Sequence, residues 1–397
     1  MRILLVSSGR IATPPLTGGG IERYTYFLAR GLAGLGHTVD FVTSITSSFE
    51  PMPGVSVRSL PALRFTLQDS YFRSAAGLVL GGILAQTRAW RCLSTSHYDL
   101  VNFHVPTAAG GALSCARRER IPTVMTAHNP LPWKLHEVGG VDAKLRSLTY
   151  SLIDAASFRA ADGVVAIGPD LREALVKHLG LSPARTFAVP VGIDPAPYQV
   201  SDVTVSEARR RWRLPARYVL FVGRLVAQKG MSVLLDALSP LDIPLVVVGE
   251  GPLLIALQRQ ARILEMERRV HFLGKLPTAD LYAVYRGATL LALPSLAEGM
   301  PSVVLEAAAA ELPIVTSRVE GVTEVIEDGV SGRVVPIGDS VALREAIQTT
   351  LASPDLARRL GRAAYETVER RFTWHAVAEA TVAAYSSVIE EAGGRRR

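Results

Sequence analysis

Short apolar runs alternate with stretches of helical periodicity from the first residue to about residue 350. Apolar runs bounded by turn formers fit buried parallel strands, and the periodic stretches between them fit crossover helices, so the pattern predicts an α/β protein. Arg2 to Ser7 reads as the first strand. Ile21 to Leu35 reads as a helix with Ile21, Tyr24, Leu28, Leu32 and Leu35 on one face, and Thr38 to Thr43 as the next strand. Further strands are expected at Val55 to Leu60, Leu100 to His104, Thr123 to Ala127, Val164 to Ile167 and Thr186 to Val189. A linker rich in proline and glycine, Val189-Pro190-Val191-Gly192-Ile193-Asp194-Pro195, follows. The cycle then restarts with strands at Tyr218 to Val222, Leu245 to Val248, Val270 to Phe272, Leu290 to Leu293, Ile314 to Thr316 and Arg333 to Val335, before helices at about 340–352, 354–370 and 374–391. The expected organisation is a Rossmann-like domain over 1–190, a second over 191–375, and a helix over 376–397 that crosses back to the first. Two doubly wound domains joined this way are expected to face a central cleft at the carboxyl ends of their strands, where ligands of open α/β sheets bind.

Composition narrows the picture. At 397 residues, 48% hydrophobic and 20% charged, the chain can fill two cores, which excludes disordered, collagenous and coiled-coil classes. The longest wholly apolar stretch, Ala75 to Ala85, is far below the roughly 20 residues of a bilayer-spanning helix. Ile3 to Val6 is too short for a signal-peptide core, so export is not expected. Two cysteines, Cys92 and Cys115, cannot form a disulfide framework or a four-thiolate zinc site, in keeping with a reducing, cytoplasmic location or with mere indifference to redox state. The net charge of +7 is concentrated in residues 1–200, which suits an anionic partner such as a phospholipid surface or a phosphorylated substrate. Nucleic acid is not expected, because no basic run with interleaved aromatics occurs.

Three segments carry candidate chemistry. Gly18-Gly19-Gly20 immediately precedes the first helix, where residues without Cβ let free amides approach a phosphate; a flexible loop is the ordinary alternative. The spacing is not that of the dinucleotide fingerprint. Phe221-Val222-Gly223-Arg224-Leu225-Val226-Ala227-Gln228-Lys229-Gly230 ends a strand and places two cations at its carboxyl end, suited to neutralising a diphosphate. Pro294-Ser295-Leu296-Ala297-Glu298-Gly299-Met300-Pro301-Ser302 leads into a helix carrying Glu306. Pro301 is expected to open that helix, and Glu298 and Glu306 to face one site. There, amides at Gly299, Met300 and the helix start can donate to sugar or phosphate oxygens, Glu298 can accept from sugar hydroxyls, and Glu306 can hold a ribose diol. Asp40 reads as a lone acid on the second strand, and Pro252 as a first helical residue.

Taken together, these residues resemble the retaining nucleotide-sugar glycosyltransferases of the GT-B fold that carry the glutamate-seven-glutamate motif, family 4. The resemblance spans nearly the whole chain. It rests on Gly18-Gly19-Gly20, Thr126-Ala127-His128, Val222-Gly223-Arg224 with Lys229-Gly230, Val248-Gly249-Glu250-Gly251-Pro252, Phe272-Leu273-Gly274 and Ser295 through Glu306. It implies that Arg224 and Lys229 bind the donor diphosphate, that Glu306 binds the ribose, and that Glu298 with the amides of Gly299, Met300 and Pro301's helix binds the transferred sugar. His128 would sit over the anomeric centre. Gly223, Gly251, Gly274 and Lys275 join the donor-binding set. The sequence departs from the family at Val189-Pro190-Val191-Gly192, where asparagine often follows the proline, and at Glu320-Gly321, in place of a glycine pair. His104, also after a strand, reads as cleft wall or structure.

The resemblance implies retaining transfer from a nucleoside-diphosphate sugar to an acceptor hydroxyl. No resident cofactor or metal is expected, since no D-x-D sequence occurs and the cations can stabilise the leaving diphosphate. An epimerase or hydrolase on the same fold would lack acceptor-dependent product, and a sugar- or lipid-surface-binding module would bind donor without turnover. A nicotinamide oxidoreductase lacks its fingerprint here. Residues 58–91 combine Arg58, Arg64, Arg73, Arg88 and Arg91 with many apolar residues, and either pack on their own sheet or lie in an anionic membrane interface. With the resemblance, this segment suggests peripheral contact at the inner membrane face and a lipid-linked or cell-envelope acceptor.

Overall fold

The structure, a computed structural model, describes residues 1–7, 20–45, 52–60, 71–106, 109–128, 155–298 and 300–394, with 71–79 as backbone only. Gly18, Gly19, Gly299, Arg64 and the terminal arginines 395–397 lie outside these residues. The chain divides into two compact units, Met1–Gly192 with Trp374–Arg397, and Ile193–Thr373.

The first unit contains strands β1 (Arg2–Val6), β2 (Thr38–Thr43), β3 (Val55–Ser59), β4 (Leu100–Phe103), β5 (Thr123–Ala127), β6 (Gly163–Ala166) and β7 (Thr186–Ala188). They form one parallel sheet in the order β3-β2-β1-β4-β5-β6-β7. Alternate residues of β1 serve two cores. Ile3 and Leu5 pack with Leu28 and Leu32 of α1 (Gly20–Gly34), and Leu4 and Val6 pack with Ala85 and Ala89 of α2 (Tyr71–Thr95). Burial on both faces is why the strands read as unbroken apolar runs. α3 (Gly110–Arg118) and α4 (Pro169–Leu179) also belong to this unit.

The second unit repeats the scheme with β8 (Val219–Val222), β9 (Leu245–Val248), β10 (Val270–Gly274), β11 (Leu290–Leu293), β12 (Ile314–Ser317) and β13 (Arg333–Val335), ordered β10-β9-β8-β11-β12-β13. Its helices are α5 (Asp202–Trp212), α6 (Met231–Leu238), α7 (Leu254–Ile263), α8 (Thr278–Gly287), α9 (Ser302–Ala309), α10 (Ser340–Ala352) and α11 (Pro354–Arg371). Phe221, Val247 and Ala292 share its core with Leu234, Leu343 and Ile347. The last helix, α12 (Trp374–Gly394), belongs to the first unit, where Val377, Tyr385 and Val388 pack into the α1 core. Gly163 faces Val388 so closely that an added Cβ would come within 2.3 Å of it.

Asp40 is not a lone acid. Its buried carboxylate accepts from Arg2 at 3.0 Å, from Arg58 Nε at 2.8 Å and from the Tyr98 hydroxyl at 2.8 Å. Arg58 is therefore drawn out of the basic surface segment into an ion pair. Both arginines are partly exposed and can be solvated, whereas Tyr98 is 1% exposed and would keep an unpaired hydroxyl if the carboxylate were lost. Asp40→Ala is expected to lower unfolding free energy by about 1–3 kcal/mol. Urea denaturation checks this, and an unchanged midpoint would show that the cluster contributes nothing net.

Candidate active site

In each sheet, the strand order reverses beside the first strand of the unit, between β1 and β4 and between β8 and β11. Crevices form outside such carboxyl ends because the flanking loops leave in opposite directions.

The loop after β8 carries Gly223, exposed Arg224, a short turn at Ala227–Lys229, and Gly230. The loop after β11 carries Ser295 to Glu298. The two loops are bonded to each other. Lys229 Nζ donates to Glu298 Oε1 at 2.5 Å, and Ser295 Oγ donates to the same oxygen at 2.6 Å. Leu296 N donates to Gln228 O at 2.8 Å, and Gln228 Nε2 to Ala297 O at 2.8 Å. Ser295 is fully buried, and the Lys229 and Glu298 side chains are 19% and 8% exposed. Close packing demands a glycine between these loops. Gly230 has φ +64°, and a Cβ there would lie 1.9 Å from Pro294 O.

On the other side of β8, backbone bonds lace three loops together. Gly223 N donates to Val248 O at 3.0 Å, Leu225 N to Glu250 O at 2.9 Å, and Gly249 N to Gly274 O at 2.8 Å. Gly223, Gly251 and Gly274 thus share one rim, followed by exposed Lys275. Gly249 is the position that no side chain can take: its φ is +137°, and a Cβ would stand 1.9 Å from Gly223 O.

Pro301 stands at the start of its helix as expected, as the N-cap, whereas the Pro252 expectation shifts. α9 begins at Ser302, and Pro301 is the extended residue ahead of it, at ψ 106°. Pro252 lies in a turn before α7, because Leu253 N is bonded to Leu225 O at 3.1 Å and the helix starts only at Leu254. Met300 is half-buried beside Pro301. Glu306, inside α9, accepts from the Tyr285 hydroxyl of α8 at 2.7 Å. Burial, reinforced by that carboxylate, holds the Tyr285 phenol protonated well above its ordinary range. Glu298 and Glu306 therefore take separate partners.

In the first unit, His104 follows β4 and His128 follows β5, adjacent strands at the carboxyl edge. His104 Nδ1 and His128 Nε2 are 2.8 Å apart. Tyr24 of α1 lies edge-on to His128, with ring centroids 4.9 Å apart, and 5.6 Å from His104. Burial pushes His128 down to about 3 and, with the neighbouring ring, lowers His104 well below the usual imidazole range, so both are neutral at pH 7. Gly20 is the exposed first residue of α1.

Tyr24, His104, Tyr285 and the Gln228 and Ser295 contacts are not assigned by sequence reasoning. The signal for the histidine pair is present nonetheless: His104 ends one expected strand, His128 directly follows another, and doubly wound order makes those strands neighbours.

Comparison with known proteins decides the family. Residues 18–197 match Glycosyltransferase Family 4, and residues 204–367 match Glycosyl transferases group 1. The D-inositol 3-phosphate glycosyltransferase of Xylanimonas cellulosilytica is 30% identical over 411 residues, covering 96% of this chain and 95% of that protein. The chain belongs to the group 1 glycosyltransferases. The glycogen synthase of Mycobacterium tuberculosis (strain CDC 1551 / Oshkosh) is 29% identical over 410 residues, covering 97% of this chain and 94% of that protein. The fold is GT-B, as in Anabaena HepE in complex with UDP, with a TM-score of 0.74, 22% identity, and coverage of 97% and 99% of the two chains.

Proposed function

We propose that this glycosyltransferase is a retaining enzyme that moves a sugar from a nucleoside diphosphate to an acceptor hydroxyl without a metal ion. The observation that carries the reading is the pair of cations at the carboxyl end of β8, Arg224 open to solvent and Lys229 tied to Glu298. A diphosphate entering there would draw Lys229 and Arg224 to its oxygens, and the amides ahead of α9 would add partial positive charge. Glu298 accepts from the transferred sugar, Glu306 from the ribose, and the reading assigns His128 to the anomeric centre. The glycine rim of Gly223, Gly251 and Gly274, with Lys275, Gly18, Gly19, Gly20, Gly299, Met300 and Pro301, completes the donor set. As the diphosphate leaves, its oxygen on the same face takes the acceptor proton, which keeps the sugar's configuration. HepE's complex with UDP supports a nucleoside-diphosphate donor.

Transfer in excess EDTA should proceed at the untreated rate and give a product with the donor's anomeric configuration, read by proton NMR. A strict magnesium or manganese requirement, or an inverted product, would contradict this reading.

For the acceptor, the proposal is a lipid-linked or cell-envelope glycan met at an anionic membrane surface. α2 supports it. Ala85, Ala89 and Leu93 face the sheet, while Leu80, Ile83 and Trp90 stand 44%, 51% and 48% exposed on the outer side next to exposed Arg91. Such a stripe can sink into the headgroup boundary with its arginine on lipid phosphate. Among the described residues, no helix is long and apolar enough to cross a membrane. The relatives named for inositol phosphate and glycogen favour a second reading, a soluble hydroxylated acceptor. Co-sedimentation with phosphatidylglycerol vesicles at low salt, lost at high salt and in Trp90→Asp, is expected. Absence of binding together with efficient transfer to a soluble sugar would favour the second reading.

A further inference from the structure

The geometry points to His104 as a positioning residue that fixes the tautomer and ring orientation of His128. This rests on the proposed placement of His128 at the transferred sugar.

Two imidazole nitrogens 2.8 Å apart, on rings that are both neutral, share one hydrogen. If His128 supplied it from Nε2, His104 would carry its own proton on Nε2. That nitrogen is buried and has no hydrogen-bond partner among the described residues. A buried N–H without an acceptor is the rarer and costlier of the two arrangements. His104 Nδ1–H therefore donates to His128 Nε2, and His104 Nε2 is bare. His128 must then carry its proton on Nδ1. That nitrogen is not among the buried unpartnered atoms, and it presents a fixed donor rather than an acceptor. Tyr24 holds the second side of the ring, edge-on at 4.9 Å, so rotation that would exchange the nitrogens is opposed from two directions. A donor at this position can bind a sugar hydroxyl or a developing negative charge, but it cannot accept the acceptor's proton. His128 on this reading is a hydrogen-bond donor to the sugar and not a general base.

The test uses the full-length enzyme with nitrogen-15-labelled histidine. In the wild type, the ring spectrum is expected to show His128 protonated on Nδ1 and bare on Nε2. His104→Leu should leave His128 in a mixture of tautomers, lower kcat at least tenfold, and leave the donor KM within twofold. His104→Asn, whose amide can donate from nearly the place of Nδ1, should recover most of kcat and the single tautomer. Should His104→Leu fail to fold, the wild-type spectrum and the asparagine variant decide. His128 found protonated on Nε2 would overturn the inference. So would wild-type kcat in His104→Leu while His128→Ala is inactive. Wild-type activity in His128→Ala would instead remove the placement of His128, and this inference with it.

Discussion

Exchanging Lys229 for alanine is expected to lower sugar transfer at least about tenfold, because losing a charge-assisted contact to a diphosphate costs more than about 1.4 kcal/mol. The variant should also be less stable, for a separate reason. Glu298 is 8% exposed and would keep only the Ser295 hydroxyl of its two bonds, leaving a nearly buried carboxylate without its counter-charge. The pair retains some solvent contact, which discounts the loss to about 1–3 kcal/mol. Glu298→Gln placed in the Lys229→Ala background removes the stranded charge. Thermal melting should then recover while transfer stays low, which separates the structural part of the lysine from its part in turnover. Rates within twofold of wild type in a folded Lys229→Ala protein would sink the diphosphate assignment.

The second large effect is expected at Gly249. Alanine there must adopt φ +137° and put its Cβ 1.9 Å from the Gly223 carbonyl, so the loops after β8 and β9 have to separate. The move would break the bonds Gly223 N to Val248 O and Leu225 N to Glu250 O, which join these two loops of the glycine rim. Strain at a forbidden backbone conformation plus two lost bonds gives about 3 kcal/mol or more. For a unit of this size that is a fall in Tm of about 6–12 °C. Calorimetry checks it. A Tm within two degrees of wild type, roughly the effect of a neutral surface change, would mean that the rim tolerates separation.

Much of this molecule is legible in its sequence because buried parallel strands print as apolar runs. Val219 to Val222, Leu245 to Val248 and Leu290 to Leu293 are fully or almost fully buried, and each can be read directly. The cations at 224 and 229 are legible for the same reason, since a strand end fixes where they stand. Partnerships across loops are not. That Lys229 meets Glu298, 69 positions later, depends on β11 lying beside β8, which follows from the winding of the sheet and not from any local pattern. His104 reads as wall or structure because a histidine at a strand end says nothing of its neighbour until β4 and β5 are laid together. Asp40 appeared alone because its partners come from residues 2, 58 and 98. Pro252 differs for a smaller reason: it fits a first helical turn, but the tertiary bond Leu253 N to Leu225 O delays the helix to Leu254.

The central claim, donor binding by the β8 cations, is tested most directly by thermal shift with UDP-, GDP- and ADP-sugars on the wild type and on Arg224→Ala and Lys229→Ala. One nucleotide sugar should raise the wild-type Tm with the logarithm of its concentration, as selective binding to the folded state requires. Each variant should need at least about tenfold more of it for the same rise, the equivalent of about 1.4 kcal/mol. Equal shifts in all three proteins, or no shift of the wild type by any of the three donors, would contradict the account.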